Sequence, residues 1–225
     1  MKLKILVNQM VKVFKVDNLA PDIIAMRMAA AFARFGMLVV FPTDTVYGLG
    51  TNPFNVLAVD RLLKVKDRSE EKGVPLLVSS MDDVLEIAHF DDDAVKLAEK
   101  FWPGVLTLVL KKRKIIPDIV TGGRESVAVR IPSHKVARSL AKMVGGVIVG
   151  TSANVSGRPP PKTAEEAIDQ VGKEVDLVLD GGTASVGVSS TIIDLTESPP
   201  LIRRLGTISE EEIEEVIGDV TKVIE

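Results

Sequence analysis

Short apolar runs alternate with helix-patterned segments along this chain, and that alternation limits its fold more than any other feature. Met37 to Phe41 is an apolar run bounded by Gly36 and Pro42. The pattern returns at Val74 to Ser79, Val105 to Leu110, Val127 to Ile131, Val147 to Val149, Val175 to Leu179, Thr191 to Leu195 and Leu201 to Arg203. Runs this short, rich in β-branched residues and closed by turn formers, predict buried strands. Pro21 to Phe35 reads as a helix, with Pro in its first turn and Gly36 as its stop. Asn55 to Lys66 places Ala58, Val59, Leu62 and Leu63 on one helical face, and Lys135 to Val144 is a helix closed by Gly145-Gly146. Ala94, Leu97, Ala98 and Phe101 mark another, ended by Trp102-Pro103-Gly104. Ser80 with Asp83, Thr163 with Glu166, and Ser209 with Glu212 carry the spacing of capping boxes. The last opens a helix with Ile213, Val216, Ile217 and Val220 inward. No helix separates strands 105–110 and 127–131, or 175–179 and 191–195. The prediction is an α/β fold, an open twisted mixed sheet with helices on its faces. With no repeat, linker or composition break in 225 residues, a single domain over 1–225 is expected. Pro159-Pro160-Pro161 reads as a stiff connector inside it.

Several functions are excluded by what the chain lacks. No cysteine is present, which removes disulfides, thiolate catalysis and cysteine metal sites. Only His89 and His134 occur, too far apart for a histidine metal site, and both read as structural. No apolar run approaches the roughly 20 residues needed to cross a bilayer. The start, Met1 to Val7, has a basic end but no full signal-peptide apolar region. A soluble, cytoplasmic protein without membrane contact is expected. The net charge of −3 creates no global field for nucleic acid. Lys111-Lys112-Arg113-Lys114 is the one dense basic run; it reads as a solvated strand end or, more sharply, as a contact for tRNA or double-stranded RNA.

Polar clusters gather at the predicted strand ends. The run Val147-Ile148-Val149 stops at Gly150-Thr151-Ser152-Ala153-Asn154, where an open α/β sheet would bind a ligand. An ordinary polar turn uses the same residues. Pro42 to Pro53, read as a loop, contributes Thr43-Asp44-Thr45-Val46-Tyr47-Gly48. Lys66, Arg68 and Lys72 border the charged loop from Asp67 to Gly73, and Arg204 lies near the C-terminus. These cations suit phosphates. Helix-end cations are the alternative for Lys66 and Arg68. On the first reading the two reach into a groove and need not pack in the core. Arg130 interrupts an apolar strand and needs an anion there, either a bound carboxylate or a structural ion pair. No phosphate-binding glycine loop and no close carboxylate set for a metal is present, so any Mg²⁺ would ride mainly on nucleotide phosphates.

Seven motifs occur in order: Pro42-Thr43-Asp44-Thr45-Val46-Tyr47-Gly48-Leu49, Lys66-x-Arg68, Trp102-Pro103-Gly104-x-Leu106-Thr107, Val129-Arg130-Ile131-Pro132, Ser152-Ala153-Asn154, Ser189-Ser190-Thr191-Ile192-Ile193 and Arg204-x-Gly206. With them the chain resembles the YrdC family of L-threonylcarbamoyladenylate synthases over about residues 20–210. The resemblance implies synthesis of threonylcarbamoyl-AMP from L-threonine, bicarbonate or CO₂, and ATP, with release of pyrophosphate. A downstream transferase would move the threonylcarbamoyl group to tRNA. By position, Thr45, Arg130, Gly150 and Ser190 would hold L-threonine. Lys66, Arg68, Lys72, Ser126, Ser152, Asn154 and Arg204 would hold ATP. No side chain stands out as a general base. The chain departs from the family in Leu205 of Arg204-Leu205-Gly206, in Ser79, and in a longer loop over 69–74. Alternatives are an RNA-binding paralogue without synthase activity and a carbamoyl-transfer domain of hydrogenase maturation factors. The lack of zinc-finger cysteines disfavours the second.

Overall fold

The structure, a computed structural model, describes residues 11–223, so the Met1 to Val7 start lies outside the described residues. Strands divide over two mixed sheets. The five-stranded sheet has the order β1 (Lys12–Lys15), β9 (Leu177–Asp180), β2 (Val39–Phe41), β3 (Gly48–Gly50), β8 (Thr151–Ser152). The seven-stranded sheet runs β12 (Thr221–Lys222), β11 (Leu201–Arg204), β10 (Thr191–Asp194), β5 (Leu106–Lys111), β6 (Ser126–Arg130), β4 (Leu76–Val78), β7 (Val147–Val149). The expected α/β class with mixed pairing holds: β5 and β6 are antiparallel, while β4 and β6 are parallel. The single sheet of the sequence reading becomes two, because β9 and β10 belong to different sheets.

The apolar runs serve two cores at once. In β2 and the residue before it, Leu38 and Val40 enter one core while Val39 and Phe41 enter the other. Leu76 and Val78 divide from Leu77 in the same way, as do Val147 and Val149 from Ile148. Side chains alternate between strand faces, so a strand covered on both sides reads as a continuous apolar run. The second core receives α1 (Ile23–Arg34) and α6 (Lys135–Val144). The first takes α2 (Val56–Val65), α3 (Met81–Ile87), α4 (Asp92–Phe101), α7 (Ala164–Val171) and α8 (Glu210–Ile217). A four-residue helix, α5 (Asp118–Thr121), joins β5 to β6, where no helix was expected.

Caps follow the sequence closely. Ser209 and Glu212 form the full reciprocal box. Thr163 accepts from the Glu166 N–H, but the Glu166 carboxylate accepts from the Lys162 N–H, one residue before the cap. Asp22 caps α1, so Pro21 precedes the helix.

Candidate active site

The seven-stranded sheet keeps one face for the core; its other face is covered at β4 and β7 and opens over β10, β5 and β6. Register pairs Ile192 with Thr107, Asp194 with Val109, Val109 with Ala128, and Leu77 with Arg130. These side chains form the floor of a groove made of two adjoining cavities. The inner cavity, ≈160 Å³, is lined by Thr45, Tyr47, Arg130, Gly150, Ser190 and Arg204 among others. The outer, ≈360 Å³, includes Lys72, Arg124, Ser126 and Arg203. Arg68, Pro75 and Ile192 line both, so the cavities are continuous. The groove floor explains the run Val127-Ala128-Val129-Arg130: Val127 and Val129 pack in the core, Val127 also at the edge of the outer cavity, and Ala128 and Arg130 face the groove.

Arg130 is 5% exposed. Its Nη1 donates to Asp44 Oδ1 at 2.8 Å, and Nη2 donates to Thr45 Oγ1 at 3.3 Å. Asp44 is buried as well, and its other oxygen accepts from the Ser133 N–H at 2.9 Å and hydroxyl at 2.8 Å. The structural ion pair therefore exists, and Arg130 still lines the inner cavity beside Thr45. Asp44 was not singled out from the sequence. The signal was there: a buried guanidinium needs a carboxylate, and Asp44 lies inside the Thr43 to Gly48 cluster.

Ser190 Oγ pairs with Thr107 Oγ1 at 2.8 Å, while Arg204 donates twice to the Ser190 carbonyl. Gly150 sits where a Cβ would overlap Leu77, so only glycine lets the backbone lie this close to the floor. Tyr47 accepts from the Gly181 N–H and donates to the Gly182 carbonyl at 2.6 Å; burial pushes its pKa up to about 12.

Lys66 departs from the expected placement. It is 2% exposed and lines neither cavity. The end of α2 sets this geometry. The Asp67 N–H bonds to the Lys64 carbonyl, the Arg68 N–H bonds to the Leu63 carbonyl, and Asp67 takes the left-handed conformation at φ 49°. That is a Schellman ending with Asp in place of glycine. It turns Arg68 toward the groove, while Lys66, one turn after Leu62, stays on the buried face of α2. The Lys66 ammonium donates to the carbonyls of Ser152 and Asn154, the latter at 2.7 Å, and approaches Asn154 Oδ1 at 3.4 Å. Burial, then the nearby Arg68, pulls its pKa down to about 7. Asn154 is likewise buried, its amide donating to the Val155 and Arg158 carbonyls. The expectation that Lys66 reaches into the groove is thus corrected. Lys66 and Asn154 stand behind the wall that presents Ser152.

Arg68 does reach the groove, held by the Gly73 carbonyl at 2.8 Å. Lys72 and Ser126 lie in the outer cavity, Ser152 and Arg204 in the inner. Among the described residues Arg68, Lys72, Arg124 and Arg204 have no ion-pair partner. Burial and neighbouring arginines hold both Arg68 and Arg204 below the usual guanidinium range. These four cations face the groove unpaired, beside Arg203 and Asp194, which pair with each other. Arg124 was missed in the sequence, where it stands as one ordinary surface arginine.

Elsewhere, the basic run is mostly solvated, as the strand-end reading expects: Lys111, Arg113 and Lys114 are exposed. Lys112 is 8% exposed and pairs with Asp118 at 2.6 Å, and Arg113 Nε donates to the Leu85 carbonyl. His134 occupies the N-cap of α6, and His89 is exposed at an open concavity that adjoins the outer cavity at Ser126. Among the described residues no group of metal-ligating side chains gathers, and no helix is long and apolar enough to cross a membrane.

Residues 31–206 match the Sua5/YciO/YrdC family, described as telomere recombination. The chain belongs to that family. It is 42% identical over 195 residues to the threonylcarbamoyl-AMP synthase of Pyrococcus abyssi, covering 86% of this chain and 57% of that protein. To the Bacillus subtilis protein of the same name it is 37% identical over 212 residues, covering 91% and 60%. The chain therefore spans about six-tenths of the length of these two relatives. The crystal structure of P. abyssi Sua5 complexed with L-threonine superposes with a TM-score of 0.90 at 39% identity, covering 94% of this chain and 62% of that one. Escherichia coli YciO superposes at 0.83 and 26% identity, covering 91% and 100%.

Proposed function

We propose that this chain joins L-threonine, bicarbonate or CO₂, and ATP into threonylcarbamoyl-AMP with release of pyrophosphate, as a nucleotidyltransferase of the cytoplasm. The observation that carries the reading is the division of the groove. Its inner cavity presents one carboxylate-paired arginine, Arg130, among hydroxyls, and the unpaired Arg204 and Arg68, then Lys72 and Arg124 of the outer cavity, line the way outward. An amino-acid carboxylate suits the first and a polyphosphate the second. Relatives named threonylcarbamoyl-AMP synthase, and a related structure holding L-threonine, support it.

In this reading Arg130 takes the threonine carboxylate, with Thr45, Gly150 and Ser190 around the amino acid. The threonine amine captures CO₂ as a carbamate and gives up a proton. A carbamate oxygen then bonds to the α-phosphorus of ATP as the bond to the bridging β-phosphate oxygen breaks. Arg68, Arg204 and Ser152 face the nucleotide directly, Lys72 and Ser126 line its outer course, and Lys66 and Asn154 hold the Ser152 turn in place. Mg²⁺ travels with the phosphates. Catalysis rests on positioning and on charge aimed at the phosphates. The product passes to a threonylcarbamoyl transferase acting on tRNA. The RNA-binding alternative rests only on the exposed Lys111, Arg113 and Lys114, since Lys112 is paired with Asp118.

The test is incubation with ATP, L-threonine and bicarbonate, followed by a pyrophosphate assay. Release should require threonine and bicarbonate together. Release at the same rate without threonine, or none with all three present, would end this reading.

A further inference from the structure

The cations along the groove form a series. Arg130 stands at the inner end, Arg204 feels both Arg130 and Arg68, and Arg68 in turn feels Arg124. Arg124 lines the outer cavity alone, with no side-chain hydrogen bond or ion pair among the described residues. Glu70 and Glu71, on the facing loop, make no ion pair with it.

Its placement is built rather than incidental. Arg124 follows Gly122 and Gly123, at φ 63° and 76°, a conformation that strains any residue with a Cβ. A Cβ on Gly122 would overlap the Glu71 carbonyl, and one on Gly73 would overlap the Val120–Thr121 backbone. The Val74 N–H bonds to the Val120 carbonyl at 2.8 Å. The loop carrying Arg68 and Lys72 and the turn carrying Arg124 are therefore packed backbone to backbone, and form one wall.

The chemistry fixes what meets that wall. In a displacement at phosphorus, the attacking and leaving oxygens lie roughly in line. With threonine at Arg130, the leaving group must point away from the inner end. That direction leads past Arg68 into the outer cavity. We propose that Arg124 holds the pyrophosphate end of ATP, as a third cation of the wall formed with Arg68 and Lys72. The assignment rests on the synthase reading of this groove for its direction, and on the wall's geometry for its ligand chemistry.

The experiment compares binding of inorganic pyrophosphate, AMP and L-threonine to the parent and Arg124→Ala proteins by calorimetry. Loss of one charge-assisted contact should weaken pyrophosphate binding about 10-fold. AMP and threonine affinity and the melting temperature should not change. Arg124→Lys, which keeps a charge but loses the guanidinium fork, should fall between the two. Unaltered pyrophosphate binding in Arg124→Ala would overturn the assignment. So would an equal loss for AMP and pyrophosphate, which would move Arg124 to the α-phosphate, and so would a parent protein that does not bind pyrophosphate. Failure of threonine-dependent pyrophosphate release in the parent is a separate result and strikes the synthase reading alone.

Discussion

The two ends of the groove treat their arginines differently. At the inner end Arg130 is buried, paired with Asp44 and fixed before any ligand arrives. At the outer end Arg68 and Arg124 repel one another, and no carboxylate pairs with them among the described residues. The inner end is part of the fold, and its cost is met by an internal anion. At the outer end Arg203 keeps Asp194 as its partner, and Arg68, Lys72 and Arg124 are left for an external anion. Mutations at the inner end should therefore lower stability and binding together, whereas those at the outer end should lower binding with little change in stability.

The sharpest way to break this contrast is Asp44→Ala. It leaves the Arg130 guanidinium buried without its carboxylate, a change of about 3–5 kcal/mol in stability. Chemical denaturation should show that loss. A near-normal unfolding midpoint would mean that Arg130 is not committed to the fold.

Lys66 belongs with the inner, structural group, and pH separates it. Its pKa falls from 10.5 in the unfolded chain to about 7 in the folded one. Between those values the unfolded state binds more protons, so stability rises with pH. The contribution is present above about 10.5 and is lost as pH falls through about 7. Relative to Lys66→Met, the parent should gain on the order of a few kcal/mol between pH 7 and 10. Parallel stability profiles for the two proteins would contradict the assignment.

Arg68→Ala probes the outer wall. It should weaken ATP binding by about 1.5–3 kcal/mol, and stability by about 1 kcal/mol, since the two backbone hydrogen bonds it removes are partly offset by relief of repulsion from Arg124. An unfolding loss larger than the binding loss would return Arg68 to the structural group. Lys114→Ala should do least: outside the groove, it should change stability by no more than about 0.5 kcal/mol. It should leave ATP affinity intact, and a measurable drop would extend the anion site toward the basic run.

Much of this was legible in the residues, and the gaps have physical causes. Alternation in Val127-Ala128-Val129-Arg130 marked a strand with one face apart from the core. The Gly150 to Asn154 cluster lay at a strand end, where the groove does open. The strands Gly48–Gly50 and Thr151–Ser152 were not visible, because glycine and polar residues in pieces this short look like loop. Division into two sheets was hidden, since an apolar run does not name its neighbour. The inward position of Lys66 could have been read: it follows Val59 and Leu62 at helical spacing, on the buried stripe of α2. Arg124 gave no such signal, because its place depends on how a double-glycine turn packs against a loop about fifty residues away in sequence.

The division of the groove is tested most directly by titrating L-threonine and ATP separately into folded Arg130→Met and Arg68→Ala proteins. Arg130→Met should lose about 2–5 kcal/mol of threonine binding with ATP affinity nearly intact, and Arg68→Ala should show the reverse. Equal losses of both ligands in both proteins would contradict a groove with two chemically distinct ends.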